Sequence, residues 1–146
     1  MNRIWMILLA GVFWLATPVS SKSDTAEVEV RVTGLRSQKG SIGCALFSKS
    51  TGFPMSPAQA SNVRKQARGT SVTCSWSGLV PGDYAVSVTH DENNNRKVDV
   101  NFLGIPLEGW AVSNNVVPGM RAPTYAEARF SLGAGQKSRH TLKLVY

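Results

Sequence analysis

Only two cysteines and two histidines occur among the 146 residues, and this scarcity argues against several kinds of catalytic or metal centre. There is no Cys-x-x-Cys pair, and His90 and His140 are isolated, so neither a zinc site nor a thiol redox site is expected. The chain also lacks Gly-x-Ser-x-Gly, His-Glu-x-x-His and a glycine-rich phosphate loop. We therefore expect a protein that is not an enzyme.

The remaining route to catalysis would use His90 with Asp91, or Asp91 with Glu108 as paired carboxylates. Adjacent residues of a strand point to opposite faces, so His90 and Asp91 are not expected to hydrogen-bond each other. His90 shares its face with Val86 and Val88, which indicates a hydrogen-bonded histidine at the edge of the core. A hydrolase acting on a polar substrate is kept as an alternative.

Acidic residues are few: nine Asp and Glu stand against 16 Lys and Arg, which gives a net charge of +7. A basic balance favours association with anionic surfaces and polymers. The basic residues are scattered along the chain, however, and aromatic residues do not alternate with them as in single-strand binders. We expect a solvated basic surface and no nucleic-acid partner.

The apolar run Ile4 to Ala16 has 13 residues, too few to span a bilayer comfortably. Arg3 precedes this run and small residues follow it, which is the pattern of a secretory signal peptide cleaved after Ser21 or two residues later. An uncleaved membrane anchor is the alternative. We therefore expect residues 1–21 to be a signal peptide and residues 22–146 to be a single domain without a transmembrane segment. The expected location is periplasmic or secreted.

Both cysteines, Cys44 and Cys74, lie in the part of the chain that would be exported, where an oxidising environment favours disulfides. Each occupies the inward phase of an alternating apolar segment, as a bridge across a core requires. A Cys44–Cys74 disulfide is therefore expected. The alternative is two buried free thiols that pack as small hydrophobic groups.

Short alternating segments separated by turns indicate an all-β fold. Val28, Val30 and Val32 alternate with polar residues and predict a half-buried strand. Further strands are predicted at Ser41–Ser48, Thr70–Ser77, Tyr84–His90, around Phe130 and Leu132, and at Thr141–Tyr146. Together they predict an antiparallel β-sandwich of about seven strands, with a closed barrel as the alternative.

Two longer segments interrupt this strand rhythm. Between Gly52 and Gly69, Ser56 is placed to cap a short helix that begins at Pro57. After His90 the chain is irregular for about 35 residues, up to a capping-box match at Thr124 to Glu127. We expect one or two short helical turns in these segments.

The run after His90 carries the most specific pattern in the sequence. Its oxygen-bearing side chains Asp91, Asn93, Asn95 and Asp99 fall at relative positions 1, 3, 5 and 9, the spacing of a calcium loop. The carbonyl of Lys97 would take position 7, and Glu108 would replace the glutamate missing at position 12. Two interpretations are open: a weak Ca²⁺ site, and an Asx-rich turn whose side chains bond nearby backbone N–H groups. The missing glutamate and the cations Arg96 and Lys97 favour the turn.

The same run begins a motif that resembles a bacterial family, domain of unknown function 2141. The residues that carry the resemblance are Leu79–Val86, His90–Asn95, Asp99, Gly104–Pro106, Glu108–Gly109, Ser113–Asn115, Ala128 and Phe130. The resemblance covers essentially the whole mature chain and implies an exported immunoglobulin-like or transthyretin-like β-sandwich, with no established activity. The family usually has glycine where this chain has Arg96, and that departure weakens the calcium interpretation.

A second candidate surface lies further along the irregular segment. Trp110 could stack on a polar ligand such as a glycan, and Ser113, Asn114 and Asn115 could hydrogen-bond it. Alternatively, Trp110 covers the edge of the core and the three polar residues close turns. We expect a non-catalytic binding or envelope-associated module whose partner is a polar ligand or an envelope component. The alternative is a purely structural or interaction domain without metal.

Overall fold

The computed structural model describes residues 24–146, and the predicted signal peptide lies outside the described residues. Eight strands are present: β1 Ala26–Thr33, β2 Ser41–Phe47, β3 Ser61–Gln66, β4 Ser71–Leu79, β5 Gly82–Asp91, β6 Gly109–Val112, β7 Phe130–Leu132 and β8 Lys137–Lys143. Three short helical segments accompany them: 3-10 turns at Pro57–Gln59 and Ser113–Asn115, and the α-helical turn α1, Tyr125–Ala128. Within residues 24–146, no helix is long and apolar enough to cross a membrane.

The strands form two sheets, as an all-β sandwich requires. The smaller sheet has the order β4-β1-β8, and the larger has the order β3-β2-β5-β6, with β7 also paired to β5. Strands β1 and β8 are parallel, whereas the other strand pairs are antiparallel. The predicted sandwich is confirmed, with eight strands in place of about seven and one parallel pair.

Alternating side chains of the central strands fill the space between the sheets. Val28, Val30 and Val32 of β1 are buried against Val86 and Val88 of β5 and their neighbours in one core cluster. Since successive side chains of a strand point to opposite faces, the alternation in the sequence places the same residues in the core.

The predicted disulfide is present and joins the two sheets through the core. Cys44 on β2 is bonded to Cys74 on β4, with Cα atoms 6.5 Å apart and a sequence separation of 30 residues. In the chain-entropy view, closing a loop of this length stabilises the fold by about 3–4 kcal/mol. The bridge fixes β2, and with it the outer face of the larger sheet, against the smaller sheet.

Two strands lie where the sequence predicted irregular chain. Strand β3 falls within the Gly52 to Gly69 interruption; it is an edge strand, and five of its six residues are exposed. Strand β6 has only four residues and falls within the irregular segment after His90. The predicted capping box, in contrast, is confirmed: Thr124 and Glu127 exchange both hydrogen bonds at the start of α1.

Candidate functional site

The Asp/Asn loop, Asp91 to Asp99, begins at the last residue of β5 and is anchored by its first carboxylate. Asp91 is only 1% exposed. Its oxygens accept hydrogen bonds from the backbone N–H groups of Asn95 at 3.1 Å and Arg96 at 2.9 Å. The guanidinium of Arg64 on β3 completes the set with an ion pair at 2.8 Å. The carboxylate therefore holds the loop closed and ties it to the edge of the larger sheet.

The other polar side chains of the loop bond one another and the loop backbone. The amide groups of Asn93 and Asn95 donate to Asp99 at 2.7 and 2.9 Å. The carbonyl oxygens of the same two side chains accept the backbone N–H groups of Asn95 at 3.0 Å and Lys97 at 2.8 Å. This is the geometry of an Asx-rich turn.

Arg96 occupies the position where glycine would be expected. Its φ angle is +62°, and that of Asn94 is +58°, so both residues adopt the left-handed conformation. Arginine adopts it less readily than glycine, and the hydrogen bond that the Arg96 N–H donates to Asp91 helps to hold it there. The backbone thus makes the turn that glycine would make.

Glu108 closes the base of the loop from the far side. Its carboxylate is buried and accepts the backbone N–H groups of Glu92 at 3.1 Å and Asp99 at 3.4 Å. Burial raises the pKa of this carboxyl above its ordinary value. The chain does fold back to bring Glu108 to the loop, as the calcium prediction requires, but its oxygens bond backbone groups.

The side chains of the predicted calcium ligands therefore meet in one place, and their oxygens already accept hydrogen bonds within the protein. Within residues 24–146, no group of three or more His, Cys, Asp or Glu side chains is arranged to hold a metal ion. Calcium binding by this loop stays a prediction from the residue spacing, whereas these hydrogen bonds favour the alternative, an Asx-rich turn. Calcium binding would require Asn93 and Asn95 to release backbone N–H groups before their carbonyl oxygens faced a cation.

His90 is fully buried beside the loop, with both ring nitrogens in hydrogen bonds. Nδ1 lies 2.8 Å from the hydroxyl of Tyr146, and Nε2 lies 2.9 Å from the carbonyl oxygen of Lys39. Because a carbonyl only accepts, Nε2 carries the proton. His90 is thus a hydrogen-bonded core-edge histidine, as its position in the strand predicted, and no hydrogen bond joins it to Asp91 among those described.

The predicted ligand residues in β6 and directly after it serve as links between elements. Ser113 is buried, accepts the backbone N–H of Val86 at 2.9 Å and donates to the carbonyl oxygen of Ala128 at 2.6 Å. The amide of Asn114 donates to the carbonyls on either side of Ala128, and Asn115 bonds the backbone of β8. The backbone of Trp110 pairs with Val145 at 2.9 Å in both directions.

Ser113, Asn114 and Asn115 do not form one surface with the Asp/Asn loop, whereas Trp110 pairs with Thr89, two residues before Asp91. Val112, the residue before Ser113, pairs with Ser87 on β5, whereas Asp91 is four residues further along that strand. At about 3.4 Å per residue, the distance along the strand is roughly 14 Å. The sequence therefore marked two separate polar clusters, and both bond extensively to the protein's own backbone.

A feature without a sequence motif follows the Asp/Asn loop: the apolar hairpin, Val100 to Leu107. Five of the ten large hydrophobic side chains that are exposed in residues 24–146 belong to it. They are Val100, Phe102, Leu103, Ile105 and Leu107. In the sequence this segment contributes Gly104–Pro106 to the family motif, and Phe102 stands at position 12 of the calcium spacing, but neither feature indicates an exposed apolar surface.

A cleft of about 470 Å³ is the second feature that the sequence did not reveal. It lies on the outer face of the larger sheet, between the segment around Met55 and the Asp/Asn loop. Its floor consists of small residues, Gly43 and Ala45 of β2 with Ser87 and Thr89 of β5. The sequence indicates this cleft only through small residues at outward positions of two adjacent strands. That pattern can be recognised only when the register between the strands is known.

Fold and site together define an all-β sandwich domain, bridged by a disulfide, with a closed Asp/Asn loop at the end of its larger sheet. A family model described as "uncharacterized protein conserved in bacteria (DUF2141)" matches residues 30–140, and the chain belongs to this family. The predicted resemblance is thereby confirmed. Neither the curated proteins nor the solved structures contain a match to the chain.

Proposed function

We propose that this protein is an exported, non-catalytic module that associates with the cell envelope by docking the apolar hairpin on an anionic lipid surface. The main support for this proposal is the exposure of the hairpin tip, where Phe102 is 95% exposed and Leu103 is 68% exposed. Clustered apolar groups of this kind on a soluble domain typically mark an interaction site.

The hairpin backbone supports the proposal because its shape is fixed before any partner arrives. Asn101 donates its N–H to the carbonyl of Ile105 at 2.9 Å, and Leu107 donates to the carbonyl of Asp99 at 2.8 Å. The side-chain oxygen of Asn101 also accepts the N–H groups of Leu103 at 2.9 Å and Ile105 at 3.0 Å. A tip with satisfied backbone groups loses little conformational entropy when its side chains enter an apolar phase.

The charges around the hairpin favour an anionic surface. Arg96 and Lys97 precede it in the chain, with Val98 and Asp99 in between; they are exposed and have no ion-pair partner in the described part of the chain. Two nearby carboxylates are neutralised, Asp91 by Arg64 and Glu92 by Arg36. Those of Asp99 and Glu108, on either side of the hairpin, accept N–H groups of the loop and form no ion pair with a described residue. Apolar side chains flanked by unpaired cations are the combination that binds anionic membrane interfaces.

The non-catalytic part of the proposal is supported by how the titratable groups are used. His90 has both ring nitrogens bonded within the fold, and the carboxylates of Asp91 and Glu108 accept backbone N–H groups. None of the three is left with a free proton-transfer position facing solvent. A hydrolase would need at least one such group near its substrate.

Vesicle flotation of the protein recovered after export tests the proposal. We expect it to float with vesicles that contain phosphatidylglycerol and much less with pure phosphatidylcholine. In the double variant Phe102→Ser and Leu103→Ser, binding should fall at least roughly tenfold, since each apolar side chain contributes about 1.5–3 kcal/mol on full burial. The matched control is Val80→Ser with Met120→Ser, which removes two exposed apolar side chains elsewhere.

Flotation that is equal in the hairpin variant and the control would overturn the proposal. Self-association through the hairpin is the competing use of the same surface. It predicts a concentration-dependent dimer in sedimentation that the hairpin variant abolishes, together with no binding to either kind of vesicle.

A further inference from the structure

The cleft on the outer face of the larger sheet is built from two strands and two walls. Gly43 and Thr89 face each other across the β2–β5 pair and form part of its floor. One wall is the segment containing Pro54, which the hydroxyl of Ser87 ties to the sheet through its carbonyl at 3.0 Å. The opposite wall is the second half of the Asp/Asn loop, Arg96 to Val98. A volume of 470 Å³ is in the range of small-molecule sites.

Arg64 lies beside the floor in a fixed position. One of its terminal nitrogens, Nη1, donates to Asp91 at 2.8 Å and to the hydroxyl of Ser41 at 2.7 Å. Its other terminal nitrogen, Nη2, lies over Gly43, where an added Cβ would approach it to 3.4 Å. Nη2 and Nε have no hydrogen-bond partner among residues 24–146. A guanidinium that is held on one side therefore keeps free donors on the other.

Two further cations line the same cleft. Arg96 and Lys97 contribute to its wall, and neither forms an ion pair with a described residue. The lining contains no Asp or Glu. At the other end the wall is apolar, formed by Pro54, Met55 and Ala58. The cleft thus combines a cationic end with an apolar end.

We propose that this cleft binds a small organic anion, with its carboxylate or phosphate group at Arg64, Arg96 and Lys97 and its apolar body towards Met55. Arginine donors match the paired oxygens of both anionic groups. Because Asp91 balances the charge of Arg64, the net positive charge of the cleft comes from Arg96 and Lys97. The cleft shares Arg96 and Lys97 with the proposed lipid-docking surface but contains none of the apolar hairpin side chains, so this proposal holds whether or not the protein docks on lipid. It also explains the small residues at Gly43 and Ala45, since larger side chains there would fill the cleft.

The direct test compares charged and neutral probes of one shape. Benzoate represents a carboxylate, phenyl phosphate represents a phosphate, and benzamide is the neutral control. In nuclear magnetic resonance titrations, we expect at least one anion to shift the amides of Gly43 and Thr89 saturably. Benzamide should bind at least about tenfold more weakly, which corresponds to about 1.4 kcal/mol. The two anions together decide which group the cleft prefers.

Variants locate the binding without disturbing the floor. The double change Arg96→Asn and Lys97→Gln removes two cations and retains a residue that tolerates a positive φ at position 96. Affinity for the preferred anion should fall at least about tenfold. The matched control, Lys65→Gln with Arg68→Gln, removes two exposed cations outside the cleft and should leave affinity unchanged.

A third variant tests the floor itself. In Gly43→Ala the new Cβ would lie 3.1 Å from the hydroxyl oxygen of Thr89, beneath Arg64, and should reduce anion binding while the fold is retained. The proposal is overturned if neither anion binds at millimolar concentration, if benzamide binds equally well, or if the control variant loses as much affinity as the cleft variant.

Discussion

The Asp/Asn loop and the apolar hairpin are neighbours in the chain, yet they direct their side chains in opposite ways. In the loop, carboxylates and amides turn inward and bond the backbone, so that Asp91 is 1% exposed. In the hairpin, the side-chain oxygen of Asn101 accepts two backbone N–H groups, and the neighbouring Phe102 is 95% exposed. The carboxylates and amides of the loop, which form the most specific motif in the sequence, therefore stabilise the fold. The apolar side chains of the hairpin, which form no such motif, are available to a partner.

The largest expected effect tests whether the loop is held by its first carboxylate. Asp91→Ala would leave the guanidinium of Arg64 and two backbone N–H groups without their acceptor. We expect a loss of about 2–4 kcal/mol in the free energy of unfolding, measured with urea. Asp83→Ala, which removes a carboxylate that is 41% exposed, should cost less than about 1 kcal/mol. Equal losses would show that the loop is not anchored at Asp91.

An effect of pH separates the two glutamates at the base of the loop. Burial raises the pKa of Glu108, so its favourable contribution is present below the ordinary pKa and is lost as pH rises through the raised pKa. The hydrogen bond from Arg36 lowers the pKa of Glu92, so its contribution is present above the ordinary pKa and is lost as pH falls through the lowered pKa.

Unfolding of Glu108→Gln and Glu92→Gln across pH measures these slopes. Relative to Glu108→Gln, the unchanged protein should lose stability as pH rises above the ordinary glutamate pKa and through the raised pKa of Glu108. Relative to Glu92→Gln, it should gain stability as pH rises from below the lowered pKa of Glu92 to above the ordinary glutamate pKa. Slopes of the same sign for both variants would show that the backbone hydrogen bonds to Glu108, which lower its pKa, outweigh its burial.

A smaller effect is expected at the hairpin. Phe102→Ser with Leu103→Ser should change the free energy of unfolding by no more than about 0.5 kcal/mol, because the two side chains are exposed and make no core contact. Thermal or urea unfolding checks this, and it also validates the variant for vesicle binding. A loss above about 2 kcal/mol would mean that the tip packs against the domain in solution.

The smallest expected effect concerns calcium. Binding to the folded state alone would stabilise it by about 2.7 kcal/mol at a hundredfold excess over the dissociation constant. We expect no rise in melting temperature between excess chelator and millimolar calcium, since the oxygens of Asn93 and Asn95 already accept backbone N–H groups. A rise that magnesium does not reproduce, and that Asp91→Asn with Asp99→Asn removes, would establish the calcium site.

The central strands could be predicted from the sequence because their burial alternates. Val28, Val30 and Val32 are fully or almost fully buried, and His90 faces inward with Val88, as their positions in the strands predicted. Strand β3 could not be recognised, because an exposed edge strand needs no apolar alternation and its pairing partner is β2. Strand β6 is too short for its period to be distinguished from chance.

The candidate sites were harder to predict because they depend on contacts between distant segments. The Asp/Asn spacing predicted that Asp91, Asn95 and Asp99 lie close together, and hydrogen bonds do link them. The spacing does not show whether their oxygens face a cation or a backbone N–H. The cleft requires Gly43 to lie opposite Thr89, and that register follows from the pairing of β2 with β5. Such placements are properties of the folded sheet.

The parallel pairing of β1 with β8 has a mechanical consequence. The two strands are aligned over seven residue pairs, from Glu27 with Lys137 to Thr33 with Lys143. The chain therefore enters β1 at one end of the sheet and leaves β8 at the other. A force that pulled these two segments apart would load all the hydrogen bonds between the strands at once, in shear, and would not open them one after another like a zipper. A domain tethered at both sides would hold its shape under tension.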